Sequence, residues 1–308
     1  MPLDEGIREL LRAIESSQYP PIARSTPENA RKAMSAMSAD IVPPNLRQPV
    51  GAVENVTAGS RPGRLCRPAS NGPFPTLVYF HGGGFVLGDL DTHDQLCRRI
   101  CAGAETVVVS VDYRLAPEHP FPAAVNDALE AVTWASSQPR ELGGTDVVAV
   151  GGDSAGANLA AVVAQAHPER IAAQVLIYPS TDPFGSHPSR HECGSGYFLE
   201  ADTVDWFMGH YLSELAAEDD LRHSPLLAPP HVLANQPPTL VATAEFDPLR
   251  DEGRAYADAL REARVHVDHQ CYEAMIHGFA DMGHLSRGAR AASDDLIHRV
   301  RGLLRQVL

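Results

Sequence analysis

Lysine is all but missing from this chain: Lys32 is the only one, and the other basic residues are arginines. Basic side chains are outnumbered altogether, 25 against 39 acidic ones, for a formal charge of −14. A surface so short of positive charge repels phosphate backbones and anionic headgroups, so neither nucleic acid nor a membrane surface is an expected partner. Long apolar runs are absent too, which excludes a membrane-spanning helix and any membrane insertion. The opening residues, MPLDEGIRELLRAIESS, lack the basic start and apolar core of a signal peptide. Cysteine is scarce. The five present, Cys66, Cys97, Cys101, Cys193 and Cys271, are odd in number and scattered, which argues against a disulfide framework and suits a reducing cytoplasm. Cys97 and Cys101 share a helix face without a second ligand pair, so they read as buried apolar residues and no metal is expected. H-E-x-x-H and G-x-x-x-x-G-K-[ST] are both missing, as are internal repeats and low-complexity tracts.

What remains is a cytoplasmic, globular chain of 308 residues with 44% apolar content, enough for a sizeable core. Leu3, Ile7, Leu10, Leu11 and Ile14 fall at helical spacing and predict an amphipathic helix over 3–17. A second helix opens at Ser25-Thr26-Pro27-Glu28, where a capping hydroxyl precedes proline. Breaks at Tyr19-Pro20-Pro21 and Pro43-Pro44 flank it, and extended segments follow at Val50–Thr57 and Arg61–Arg67.

From residue 76 the pattern changes. Apolar runs at Thr76–Phe80, Thr106–Val111, Val147–Gly151, Ala172–Tyr178, Thr239–Ala244 and Val265–Tyr272 alternate with helical stretches near 92–103, 123–137, 155–166 and 251–263. Continuous apolar strands joined by helices mean a largely parallel sheet covered on both faces. A last helix is expected at 285–306. Between Ser180 and Pro238 no strand is evident; Phe198, Trp206, Phe207, Met208, Tyr211 and Leu212 gather around a helix begun near Asp202. An insertion at the carboxyl end of a parallel sheet lies where ligands bind, so this interval reads as a cap.

Gly152-Asp153-Ser154-Ala155-Gly156 fits G-x-S-x-G, with the strand-like Asp146–Val150 before it and a helical stretch after it. That is the setting of a nucleophile elbow, in which a strained turn exposes the hydroxyl and Ala155 offers its amide at a helix start. His81-Gly82-Gly83-Gly84 directly follows a strand and presents backbone amides without intervening side chains, as an oxyanion site requires. His81 itself reads as a loop-fixing residue. Asp247 follows the strand Thr239–Ala244 and is the expected acid, with Asp182 as its rival. Asp251 and Glu252 are expected in the next helix's first turn, complementing its dipole. Among 14 histidines, His277 stands in a loop beyond the last strand with Gly278 beside it. It can therefore swing between Ser154 and Asp247, completing the order Ser, Asp, His.

With these residues assembled, the chain resembles the bacterial hormone-sensitive-lipase family of carboxylesterases. The likeness is carried by His81–Gly84, Tyr113-Arg114-Leu115-Ala116-Pro117-Glu118, Gly152–Gly156, Asp247-Pro248-Leu249-Arg250-Asp251-Glu252-Gly253 and His277-Gly278-Phe279. It implies an α/β-hydrolase fold: an eight-stranded, mostly parallel sheet flanked by helices. The catalytic domain would span 46–179 and 239–308, and residues 1–45 and 180–238 would form the two parts of a helical cap. Ser154, Asp247 and His277 would be the catalytic triad, with Gly83, Gly84 and Ala155 as the oxyanion hole. Short- to medium-chain acyl esters would be the substrates, and no cofactor would be needed. The Tyr113–Glu118 segment would support the active-site loops. The run Val265–Tyr272, read as an exposed edge strand, offers a homodimer surface. Related serine chemistry on amides or thioesters, and a non-catalytic receptor on the same fold, stay open at this stage.

Overall fold

The computed structural model describes residues 2–16, 20–212 and 220–308. Its strands are β1 (Ala52–Ala58), β2 (Arg61–Arg67), β3 (Thr76–Phe80), β4 (Val107–Val111), β5 (Val148–Asp153), β6 (Gln174–Ile177), β7 (Thr239–Phe246) and β8 (Val267–Ile276). They form one eight-stranded sheet in the order β1-β2-β4-β3-β5-β6-β7-β8. β2 runs antiparallel to both its neighbours, and every other neighbouring pair is parallel.

The helices are α1 (Glu5–Glu15), α2 (Pro27–Ile41), α3 (Asp94–Ala104), α4 (Ala123–Ser137), α5 (Ala155–Ala166), α6 (Pro188–Glu192), α7 (Ala201–Tyr211), α8 (Pro230–Leu233), α9 (Arg250–Glu262) and α10 (Arg287–Gln306). Thr26 caps α2 through its hydroxyl, with Pro27 in the first turn. The expected end of the first helix at residue 17 and the break at Tyr19 lie outside the described residues. No strand occurs among the described residues of 180–238.

Alternate side chains of the inner strands feed two separate cores. Val78, Phe80, Val107, Val109 and Val111 pack under α4, α5 and α9. Leu77, Tyr79 and Val108 pack under α3, α10 and Ile7 of α1. Every residue of β3 and β4 is buried. At roughly 1.5–3 kcal/mol for each fully buried large side chain, these strands supply much of the driving force for folding. Cys97 and Cys101 sit in the second core as expected, and burial lifts the Cys101 thiol to about 12.

β8 differs from its expected form. It continues through Glu273 to Ile276, so His277 follows the strand directly rather than standing a few residues beyond it. A register shift beside Ala244/Phe246 and a left-handed Ala274 (φ 62°) let the ladder resume at Phe246–Ile276. His266, read as part of the strand, lies just before it. The elements thus deliver four loops to one edge of the sheet, the carboxyl ends of β3, β5, β7 and β8.

Candidate active site

Ser154 stands between β5 and α5 with φ 55° and ψ −120°, a backbone region a serine rarely enters. The turn closes because no side chain stands at Gly152 or Gly156. A Cβ on Gly152 would lie 2.4 Å from the Gly156 carbonyl carbon, and one on Gly156 would lie 1.9 Å from the Phe80 oxygen. The Ser154 amide donates to the Ile177 oxygen at 2.8 Å, tying the turn to β6.

His277 lies between Ser154 and Asp247. Its Nε2 is 3.0 Å from Ser154 Oγ and its Nδ1 is 2.8 Å from Asp247 Oδ2. Asp247 is fully buried and its other oxygen accepts from the Leu249 amide at 2.8 Å. A carboxylate only accepts, so the ring proton sits on Nδ1 and the Nε2 lone pair faces the serine hydroxyl. Tyr178 packs against the imidazole at 4.6 Å between ring centres, restraining it from the β6 side. The rival acid is elsewhere: Asp182 Oδ2 pairs with His187 Nε2 at 2.9 Å.

Gly83 (φ 114°) and Gly84 (φ 60°) both need the left-handed region, and neighbours leave no room for a side chain. Among the described residues, the amides of Gly83, Gly84 and Ala155 have no protein acceptor. The Gly83 oxygen, by contrast, accepts from Val86 and Leu87 at 3.1 and 2.8 Å. The loop is braced on all sides. Tyr113 Oη donates to the His81 oxygen at 2.7 Å, and its ring stacks on the imidazole. Burial pushes the His81 imidazole down to about 4, so it stays neutral and holds the loop, as read from sequence. Arg31 of α2 donates to the oxygens of Val86 and Ala116 and forks onto Glu118, all at 2.7–2.8 Å.

Residues 198–211 lie over these loops. The Phe207 ring comes so close that a Cβ on Gly84 would stand 2.1 Å from it. Phe85 and Tyr211 stack with ring centres 3.8 Å apart. Phe198 faces Gly278 beside the histidine. Among the described residues no group of three or more His, Cys, Asp or Glu side chains is arranged to hold a metal. None of their helices is long and apolar enough to cross a membrane.

The sequence profile of a family described as alpha/beta hydrolase fold matches residues 77–281. The chain belongs to the α/β-hydrolase fold family. Within it, this hydrolase is 45% identical over 261 residues to carboxylic ester hydrolase LipN of Mycobacterium tuberculosis, covering 81% of this chain and 69% of that protein. It is 43% identical over 231 residues to an ethyl acetate hydrolase of Pseudomonas putida, covering 72% of each. The solved structure of a hyperthermophilic esterase from the archaeon Pyrobaculum calidifontis superposes with a TM-score of 0.92 at 38% identity, covering 98% of this chain and 99% of that one. These relatives place the hydrolase in the hormone-sensitive-lipase group of serine carboxylesterases, as the motifs implied.

Two acidic residues do more than sequence reading assigned them. Glu252 stands in the first turn of α9, as expected. It is also fully buried, pairs with Arg190 at 2.7 Å and accepts from the Thr181 amide at 2.7 Å, pinning the segment after β6. Asp153 occupies the unspecified position of G-x-S-x-G, yet it accepts from the amide of Gly82, in the loop after β3, at 3.0 Å. Its one signal in the sequence is a charge at the end of a strand otherwise free of charge.

Proposed function

We propose that this hydrolase cleaves short- to medium-chain acyl esters through an acyl-enzyme formed on Ser154. The reading rests on one observation above the others: a single imidazole bridges a serine on a strained turn and a buried carboxylate. His277 takes the Ser154 proton as Oγ attacks the ester carbonyl carbon, and Asp247 stabilises the imidazolium that results. The unbonded amides of Gly83, Gly84 and Ala155 hold the oxyanion of the tetrahedral intermediate. As the intermediate collapses, His277 returns the proton to the departing alcohol; it then activates water to release the acid.

In this reading the helices of 1–45 and 180–238 cap the site, and Phe207 on α7 closes the space above Gly84. That supports a small acyl pocket, as does the name of the Pseudomonas putida relative. The exposed side of β8, an edge strand, is the surface we assign to a homodimer. Five unpaired cysteines, four of them buried, fit a cytoplasmic location.

Hydrolysis of p-nitrophenyl acyl esters of increasing chain length tests the proposal. The expected result is fast turnover on the shorter chains and a decline on longer ones. No turnover on any chain by folded protein, or turnover that does not decline on the longer chains, contradicts the proposal.

A further inference from the structure

Behind the oxyanion loop lies a buried ion pair that the reaction steps above do not use. The Asp153 carboxylate immediately precedes the nucleophile. Its Oδ1 accepts from Tyr79 Oη at 2.7 Å and from the Gly82 amide at 3.0 Å. Its Oδ2 faces His93 Nε2 at 3.4 Å. The loop is seated directly on this carboxylate: a Cβ on Gly82 would stand 2.3 Å from Oδ2.

The groups around His93 favour its charged form. His93 Nδ1 lies 3.0 Å from Thr92 Oγ1. That hydroxyl gives its own proton to the Asp89 oxygen and already accepts from the Asp89 amide, both at 2.9 Å. Its remaining lone pair can only accept, and so can the carboxylate on the opposite side of the ring. Protons on both ring nitrogens satisfy both neighbours, so this setting favours the charged imidazole. Burial opposes the charge, but the nearby carboxylates of Asp153, Asp281 and Asp89 outweigh it and raise the imidazole above its usual value.

Burying a carboxylate costs several kcal/mol unless it is paired and hydrogen-bonded. A small neutral residue would serve the turn at this position without that cost. Besides Tyr79 and His93, what its acceptor oxygens hold is the loop that carries Gly83 and Gly84.

We propose, building on the esterase reading, that Asp153 paired with His93 is a positioning residue for the reaction. By anchoring the Gly82 amide it sets where the Gly83 and Gly84 amides stand relative to Ser154. The nucleophile turn thus carries its own alignment for the oxyanion donors. A misplacement of about 1 Å costs roughly 100-fold in rate, and loss of one donor about 100- to 1000-fold.

The test compares Asp153→Ala, Asp153→Asn and Ser154→Ala on p-nitrophenyl acetate, with an alkyl trifluoromethyl ketone as a probe that forms a tetrahedral oxyanion on the serine. For Asp153→Ala the expected result is kcat lower by about 30- to 100-fold, KM within about threefold, and ketone affinity weakened in step with kcat. Asparagine keeps an acceptor for Gly82 and Tyr79, so Asp153→Asn should recover kcat to within about fivefold of wild type. Wild-type kcat and ketone affinity in folded Asp153→Ala, with only its melting temperature lowered, overturn the proposal. Should Asp153→Ala fail to fold, His93→Ala takes its place, with kcat expected about tenfold lower at unchanged KM and wild-type kcat as the overturning result. Ser154→Ala separates the layers: if it is inactive while Asp153→Ala and His93→Ala behave as wild type, only the positioning role falls. If Ser154→Ala stays active, the esterase reading falls as well.

Discussion

Ser154→Ala is expected to lower kcat for p-nitrophenyl esters by about 10⁴- to 10⁶-fold, with stability changed by no more than about 0.5 kcal/mol. In the proposed mechanism the hydroxyl forms the bond to the acyl carbon, so no neighbour replaces it; what would survive is the contribution of the proposed oxyanion donors and of binding. The small stability change follows from the site. Ser154 is part-buried, and its side chain contributes one hydrogen bond, to an imidazole that Asp247 and Tyr178 hold anyway. Parallel kcat and thermal-melting measurements check both halves. A large loss of stability would mean that the serine serves the fold, and a surviving kcat would move the nucleophile elsewhere.

Gly156→Ala should damage fold and activity together. In a helix interior alanine ordinarily gains about 1 kcal/mol over glycine. Here the added carbon would stand 1.9 Å from the Phe80 oxygen, 2.5 Å from the Phe80 carbonyl carbon and 2.6 Å from the His81 oxygen. All three are backbone atoms, so no side chain can rotate away. Relief requires α5 to lift or the end of β3 to shift, and β3 leads straight into Gly82, Gly83 and Gly84. We expect destabilisation of about 3 kcal/mol, read as a melting temperature lower by roughly 5–10 °C, and kcat down at least about 100-fold. Gly302→Ala in α10, where a Cβ meets nothing within 4 Å, is the control and should melt at or above the wild-type temperature.

The contrast between these two glycines also marks how far the sequence could be read. Local pattern was enough wherever one segment decides its own structure. β3, α4 and α5 begin and end where the apolar runs and their flanking turn residues place them. That Ser154, Asp247 and His277 meet could be read because each follows a strand and faces the same sheet edge. The end of β8 was not: Glu273 looks like a stop, and only pairing with β7 across a bulge carries the strand on to Ile276. The antiparallel place of β2 beside β4 likewise depends on partners that sequence distance conceals. Asp153 and Glu252 escaped for a related reason. A carboxylate in a motif's free position, or in a helix's first turn, has a ready local explanation. Their partners, His93 and Arg190, come from segments about 60 residues away in the chain.

Whether Ser154 is the group that becomes acylated is read by covalent labelling. An alkyl fluorophosphonate should form a single Ser154 Oγ–phosphorus bond with loss of fluoride, found by peptide mass mapping on the segment containing Gly152–Gly156. One adduct at Ser154 is expected, with esterase activity lost in proportion to labelling and none of that adduct in Ser154→Ala. Activity lost with the adduct on another residue, or wild-type protein left unlabelled while still turning over esters, would contradict that role for Ser154.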